Sequence, residues 1–287
     1  MKNTINYKIY VIVVVYNKDF NKCSASKLFS QFDNGNIVPV IVDNSTIKNE
    51  NEYFCIENNY IYISMQGNKG LSCAYNQALK VINYNSDDII MLLDDDTRVN
   101  KEFFECLIKQ ISENPDYDIY CPCIRGQDGK FYSPNEYRLF KSKQMKNIDS
   151  LIRNNKFNAI NSCTSIRAYV FDSFRYDERQ FLDQIDHYFF RVQRKLHRRF
   201  FKIRYVIDQS FYLDKTNKLD YSHAWNRYRF LIHDFLVMYD DFGFFINLLC
   251  FLKIVLWGLR GIYRYKSIKF LIMCINQFFM TKKELKP

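Results

Sequence analysis

The sequence predicts an α/β chain in which a doubly wound, mostly parallel central sheet is followed by a C-terminal helical extension. Three observations carry this reading. Short β-rich runs alternate with helix-period segments through the first half. Each of those runs ends in polar residues, and one of them, Ile89-Ile90-Met91-Leu92-Leu93, leads straight into Asp94-Asp95-Asp96. Beyond about residue 222 the periodicity is helical throughout.

The elements follow in order. Tyr7–Val15 is a nearly continuous apolar run, as expected of a strand covered on both faces. An amphipathic segment at Cys23–Phe32 precedes a second strand, Ile37–Val42, which closes on Asp43-Asn44-Ser45. Tyr60–Ser64 is a third, short strand. Leu71–Ile82 places apolar residues at 71, 74, 75, 78, 79 and 82, the spacing of one helix face. Ile89–Leu93 is the fourth strand and Lys101–Ile111 the next helix. Between Tyr117 and Ala159 the pattern weakens, with turn signals at Gly126 to Gly129 and at Ser133-Pro134-Asn135, and irregular structure lining a cleft is expected. A second ordered region runs from Asn158 to Val206. Tyr228, Leu231, Ile232, Phe235, Leu236 and Tyr239 then share a helix face, and 244–257 and 267–280 are short, very hydrophobic helix candidates studded with Lys and Arg.

Composition narrows the class. A chain of 287 residues suits one α/β domain with an appendage, and its 48% hydrophobic residues are ample for a large core. Eight glycines and five prolines argue against disorder or repeats. The nine cysteines are odd in number and form no CxxC pair, and Cys121-Pro-Cys123 lacks partners for a zinc site. A reduced, cytosolic chain with mostly buried thiols is expected. No signal peptide is expected, because Ile9–Val15 is only strand-length. Nor is a membrane-spanning segment, because Phe244–Tyr263 is interrupted by Asn247, Lys253 and Arg260. The net charge of +10 is uneven: residues 191–287 hold 19 Lys/Arg against 7 Asp/Glu, which leaves 22 against 24 for residues 1–190. The excess points to an anionic partner met by the last third.

The triple aspartate carries the chemistry. Three like charges repel one another, so folding alone gives no reason to place them together. A divalent cation with its anionic ligand relieves that repulsion, and ligands of open α/β sheets lie beyond the carboxyl ends of strands. An acidic loop after a core strand is the plain alternative. Gly67-Asn68-Lys69-Gly70 precedes a helix whose first amides favour an anion, although alone such a segment is often only a turn. Four polar strand ends in succession are much harder to explain as turns.

Val13-Val14-Val15-Tyr16-Asn17, Val42-Asp43-Asn44-Ser45, Asn68-Lys69-Gly70-Leu71-Ser72-Cys73-Ala74-Tyr75-Asn76 and Leu93-Asp94-Asp95-Asp96 resemble the ordered motifs of family-2 glycosyltransferases. The nearest resemblance is to rhamnosyl- and galactofuranosyltransferase-like members that build bacterial O-antigen and capsule. Phe174-Arg175-Tyr176-Asp177-Glu178 and Phe181-Leu182-Asp183-Gln184-Ile185-Asp186 are similar to a second-half stretch of that family, and Arg227 with His233-Asp234 to a later one. The resemblance covers roughly residues 7–235. It implies a GT-A, Rossmann-like nucleotide-sugar transferase domain over 1–220, with a nucleotide-binding half at 1–115 and an acceptor half at 116–220. Residues 221–287 would be an amphipathic, membrane-associating helical region.

The resemblance also implies roles. Asp43 would accept from a uracil or thymine ring, with Tyr16 and Asn17 lining the base pocket. Asn44, Asn68, Lys69, Gly70, Asn76 and Asp95 would complete the donor site. Asp94 would reach the ribose or the metal, and Asp96 would be the principal ligand of Mg²⁺ or Mn²⁺ at the diphosphate. Asp186 would be the general base for a single, inverting displacement. By spacing, Asp183 and Asp186, three apart at the start of a predicted helix, could share one face; the plain alternative is that such acids only complement the helix dipole, a role that Asp183 could fill while Asp186 does the chemistry.

Two departures bear on this. Tyr188 stands where members usually carry Glu. The Asp208–Asp214 segment also lacks the histidine that many use as a further metal ligand, which leaves open whether His223, Asp214 or the aspartates and diphosphate alone complete the site. His187, His197 and His233 read as structural or surface residues. Residues 191–204 hold seven basic residues and no acid, and with the later aromatic helices they suggest an anionic bilayer rather than nucleic acid, for which no motif is present. The expected protein transfers a hexose from a UDP- or dTDP-sugar to a glycan or polyprenyl-diphosphate-linked acceptor, peripherally on the inner face of a bacterial plasma membrane. A non-catalytic nucleotide-sugar or glycan binder, and a peripheral scaffold that binds no nucleotide, are the alternatives.

Overall fold

The computed structural model describes residues 6–32, 35–211 and 221–285. In chain order the first half contains β1 (Ile9–Val15), α1 (Ser24–Phe29), β2 (Ile37–Asp43), α2 (Asn51–Glu57), β3 (Ile61–Ser64), α3 (Leu71–Val81), β4 (Ile89–Asp94) and α4 (Lys101–Glu113). Then come β5 (Ile119–Gly126), β6 (Phe131–Ser133), β7 (Asn135–Arg138), β8 (Lys141–Gln144), β9 (Phe157–Asn158), β10 (Ser165–Arg167), α5 (Ile185–Lys195) and β11 (Phe200–Gln209). Three helices follow: α6 (Tyr221–Met238), α7 (Phe244–Tyr265) and α8 (Ile268–Glu284).

The main sheet runs β11-β5-β10-β4-β1-β2-β3, with β6 added to β5. It is mostly parallel, and β10 alone on that path lies antiparallel to both neighbours. Ile89 to Leu93 are at most 2% exposed, which explains why β4 reads as an unbroken apolar run. Alternate residues of β1, Ile9, Val11, Val13 and Val15, pack in one apolar cluster with Phe103, Phe104, Leu107 and Ile111 of α4. Asn100 caps that helix, its side chain accepting from Phe103 N at 3.1 Å.

The stretch expected to be irregular, 117–159, is instead strand-rich. It supplies β5 and a small antiparallel sheet, β8-β7-β9. Pro122 hid β5 from the pattern, since proline removes a ladder donor. The strand accommodates it where β11 shifts register between Lys202 and Val206, opposite Cys121 and Cys123. All nine cysteines are free thiols and seven are buried.

Two compact units divide the chain. Met1–Lys69, Cys73–Tyr176 and Phe189–Phe211 form the first, which holds both sheets. Gly70–Ser72, Asp177–Tyr188 and Tyr212–Pro287 form the second, which holds α6 to α8. In the second unit the buried Phe270 ring of α8 meets the rings of Tyr221, Trp225, Tyr228 and Tyr265. Gly258 and Gly261 let α7 approach α8 closely: a Cβ on Gly261 would lie 2.1 Å from that same Phe270 ring. The apolar tail is thus two long helices rather than short pieces. α7 continues for 22 residues through Lys253 and Arg260. Among the described residues it is the one helix long and apolar enough to cross a membrane by length and composition.

Candidate functional site

Parallel pairing aligns the strand ends that carry the polar motifs. Val15 pairs with Asp43, Asp43 with Ser64, and Val14 with Asp94, so β1 to β4 finish at one level. Cross-links between the loops then fix their shape. Asn17, in a left-handed conformation (φ 50°), accepts through Oδ1 from Thr46 N at 2.8 Å, and its own N–H donates to Ser45 Oγ at 2.8 Å. Asn44, buried, donates to Asn68 Oδ1 (3.0 Å) and accepts from Lys69 N (2.8 Å). Asp43 is 4% exposed and accepts from Ser45 N, Asn51 Nδ2 and Tyr62 OH. Burial alone would raise its pKa, but the hydrogen bonds from Ser45, Asn51 and Asn49 outweigh it and the carboxyl lies below its usual range. Tyr16 remains half exposed above this edge.

Next along the edge is the carboxylate triplet. Asp94 ends β4, with Thr97 N closing a turn onto its carbonyl at 3.2 Å. Asp95 pairs with Lys18 at 2.9 Å. Asp96 opens onto a cavity of about 830 Å³, whose wall is completed by Arg98 and Asn100, by Arg125 and Gln127 at the end of β5, and by Asp208 to Ser210 at the end of β11. Crowding by protein, then the Asp95 carboxylate, push the Asp96 carboxyl above the usual aspartate range, against the pull of Lys18. Across the cavity wall Asp208 is held by Arg125 through two bonds of 2.7 and 2.9 Å.

The second unit contains the other acidic pair. Asp183 lies before α5 and Asp186 in its first turn, so the two do not share a helix face; Gln184, at φ 61°, turns the chain between them. Arg227 grips the Asp183 carboxylate with two guanidinium nitrogens. Burial nevertheless holds Asp183 above its usual range, Arg227 opposing. Asp186 accepts from His187 N at 2.7 Å and, among the described residues, is joined to no cation. Beneath them Asp234, fully buried on α6, accepts from three successive backbone amides: Phe181 at 3.0 Å, Leu182 at 2.7 Å and Asp183 at 2.7 Å. His233 Nδ1 adds a fourth contact at 2.9 Å. Gly70 fits against the same loop: its φ is +86°, and a Cβ there would lie 2.8 Å from the Phe181 ring.

Comparison with known proteins bears on this arrangement. The model of the family "Glycosyl transferase family 2" matches residues 10–175, more than half the chain. The chain belongs to glycosyl transferase family 2. It is therefore a glycosyltransferase, and its fold is GT-A. Solved structures agree on the fold. S. aureus TarS 1–349 is 17% identical over 96% of this chain and 72% of its own, with a TM-score of 0.53. The mannosyltransferase PcManGT from Pyrobaculum calidifontis, solved with GDP-Man and Mn²⁺, is 13% identical over 83% of this chain and 66% of its own (TM-score 0.54). Glucosyl-3-phosphoglycerate synthase from Mycobacterium tuberculosis, solved with Mn²⁺, UDP and phosphoglyceric acid, is 12% identical over 81% and 78% (TM-score 0.51). No curated protein matches the chain.

Against the family-2 motifs, the structure sorts the expected residues. Tyr16, Asn17, Asp43, Asn44, Asn68 and Lys69 gather at the β1–β3 ends and Asp94 to Asp96 at β4. Several are committed within the protein. The amides of Lys69 and Leu71 are taken by Asn44 Oδ1 and Phe181 O, so the glycine segment does not offer those donors to an anion. Asn76 spends its side-chain amide on the backbone of Tyr176, donating and accepting at 2.9 Å. The carboxylates suit a hard cation. Among the described residues no group of three metal-ligating side chains forms, so Asp94 and Asp96 would share the ion with phosphate oxygens and water, as Mg²⁺ and Mn²⁺ commonly accept. Asp214 lies outside the described residues, and His223 is exposed on α6.

Three features escaped sequence reasoning. Arg98 and Gln127 reach the cavity from loops with no periodic signal. The family resemblance singles out Asp234 beside Arg227 and His233, but not its contacts with three backbone amides. The basic run 191–204 proves largely engaged at home: Arg194 bonds Phe157 O, Lys202 bonds Ile148 O and Ser150 O, and Arg198, Arg199 and Arg204 pair with Asp118, Asp116 and Asp149. Five of its seven basic side chains thus have partners within the chain, Arg199 and Arg204 in surface pairs that stay more than half exposed.

Proposed function

We propose that this family-2 enzyme is an inverting, divalent-metal-dependent transferase that moves a hexose from a UDP- or dTDP-sugar to a hydroxyl of a lipid-linked glycan in bacterial surface-polysaccharide synthesis. The O-antigen and capsule enzymes that transfer rhamnose or galactofuranose are the nearest type. The observation that carries this is Asp94-Asp95-Asp96 closing the central strand beside the polar ends of β1 to β3, with Asp96 on a cavity of about 830 Å³. The metal, when bound, would neutralise the departing diphosphate.

In the proposed reaction the loops after β1 and β2 hold the base, and Asp94 the ribose or the metal. Asp186 accepts the acceptor hydroxyl's proton as that oxygen bonds the anomeric carbon, and the bond to the diphosphate breaks on the opposite side. Asp183 does not compete for this role, because Arg227 already occupies its carboxylate. Asp186 carries no such burden.

A panel of UDP- and dTDP-sugars, assayed for binding and slow hydrolysis with Mn²⁺ and with EDTA, tests the reading. Turnover of one donor, metal-dependent and reduced on the order of a thousandfold in Asp96→Ala, is the expected result. Asp186→Asn should keep donor binding and lose transfer. Full transfer in either variant removes its assigned role. Metal-dependent binding with no turnover for any acceptor supports the non-catalytic alternative, which Tyr188 in place of the usual Glu favours.

A further inference from the structure

The tail helices carry an unusual surface. Of the twenty large apolar side chains exposed among the described residues, eleven lie between 244 and 280, although that stretch is a small part of the chain. On α7 they form one stripe: Phe245, Leu248, Leu252, Leu256, Leu259 and Tyr263 recur every three or four residues. At 3.6 residues per turn this stripe lies opposite Cys250, Ile254, Gly258 and Gly261, the buried face that meets α8. Residues 244–283 contain no Asp or Glu. Arg260 flanks the stripe, and Lys266 and Lys269 are exposed at the turn where it ends.

We infer that α7 is an in-plane anchor: its stripe lies in the interface of an anionic bilayer with its axis parallel to the surface, while Arg260, Lys266 and Lys269 meet lipid phosphates. A helix of this length, about 33 Å, is also long enough to span. The distribution of its residues argues otherwise. The face opposite the stripe is packed in protein, and by helical spacing Lys253, Arg260 and Arg264 line one edge of the stripe, a charged border that the lipid-facing circumference of a spanning helix lacks. Spanning would also carry Arg260 toward hydrocarbon, while the in-plane pose leaves it at headgroup level. A second copy of the chain would cover the stripe but leave the surrounding positive charge unopposed, so a phosphate-rich surface is the better complement. This inference stands apart from the donor chemistry, and its test does not depend on turnover.

The full chain is floated with vesicles of phosphatidylcholine alone and of phosphatidylcholine with phosphatidylglycerol. Binding to the anionic vesicles, weakened by salt and removed by alkaline carbonate, is expected. Arg260→Gln, Lys266→Gln and Lys269→Gln together should weaken it on the order of a hundredfold. Leu252→Ser with Leu256→Ser should abolish it while far-UV dichroism and monomer size stay unchanged. Retention through carbonate would mean a spanning helix and overturn the inference. So would equal binding by the variants, no vesicle binding at all, or a dimer that the serine variant dissociates.

Discussion

Asp96 shows at the scale of one residue how a functional group opposes stability. Its carboxyl is raised above the usual range by crowding and by Asp95. The folded state therefore binds a proton more tightly than the unfolded state there, and stability falls as pH rises from the unfolded pKa through the folded one. Asp96→Asn removes that penalty. The variant should melt modestly higher than the parent at pH 7, with the difference shrinking as pH falls and vanishing below about pH 3, where both states are protonated. Thermal melts across that range check the sign, and a lower melting point at pH 7 would refute it. Asp234 is the opposite case, a buried carboxylate that three amides depend on. Asp234→Ala strands those donors and should cost about 3 kcal/mol or more in urea unfolding. A change below roughly 0.5 kcal/mol would mean that the loop does not need it. The repulsion at Asp96 is legible in the run of three aspartates, whereas the role of Asp234 is not, because the convergence of three amides on one carboxylate is a property of distance.

At the scale of elements, the parallel strands were legible because burial on both faces writes itself as a continuous apolar run, and α3 and α4 because their one buried face repeats. β5 was not, since Pro122 breaks the ladder in the pattern but only shifts the register in space. The α7–α8 contact was equally hidden. Nothing in a sequence distinguishes a glycine that weakens a helix from one that admits a neighbour. Gly261→Val tests this contact: the new side chain meets the buried Phe270 ring, and a loss of about 1–3 kcal/mol is expected from overpacking. Gly243→Ala, at a position where a Cβ meets nothing within 4 Å, is the control and should change little. Equal behaviour of the two variants would argue against close packing at Gly261.

At the scale of the whole chain, the net charge of +10 was correctly read as uneven, but its purpose divides. In the run at 191–204, Arg199 and Arg204 pair with Asp116 and Asp149 at the surface, while residues 244–283, which contain no acid, keep exposed cations beside an apolar stripe. Salt should accordingly weaken vesicle binding far more than it weakens folding, because exposed charges are screened and contacts of the folded interior are screened less. The sequence by itself determined the α/β class, the order of the first four strands, the polar motif at each of their ends and the family to which they belong. These are local matters of periodicity and residue type. Tertiary structure alone decided which of those polar groups are already spent: Asn76 on Tyr176, Asp183 on Arg227, Asp95 on Lys18. Hydrogen bonds and ion pairs form between groups far apart in the chain, and only folding sets the distances that make one carboxylate a structural pin and leave another for a ligand.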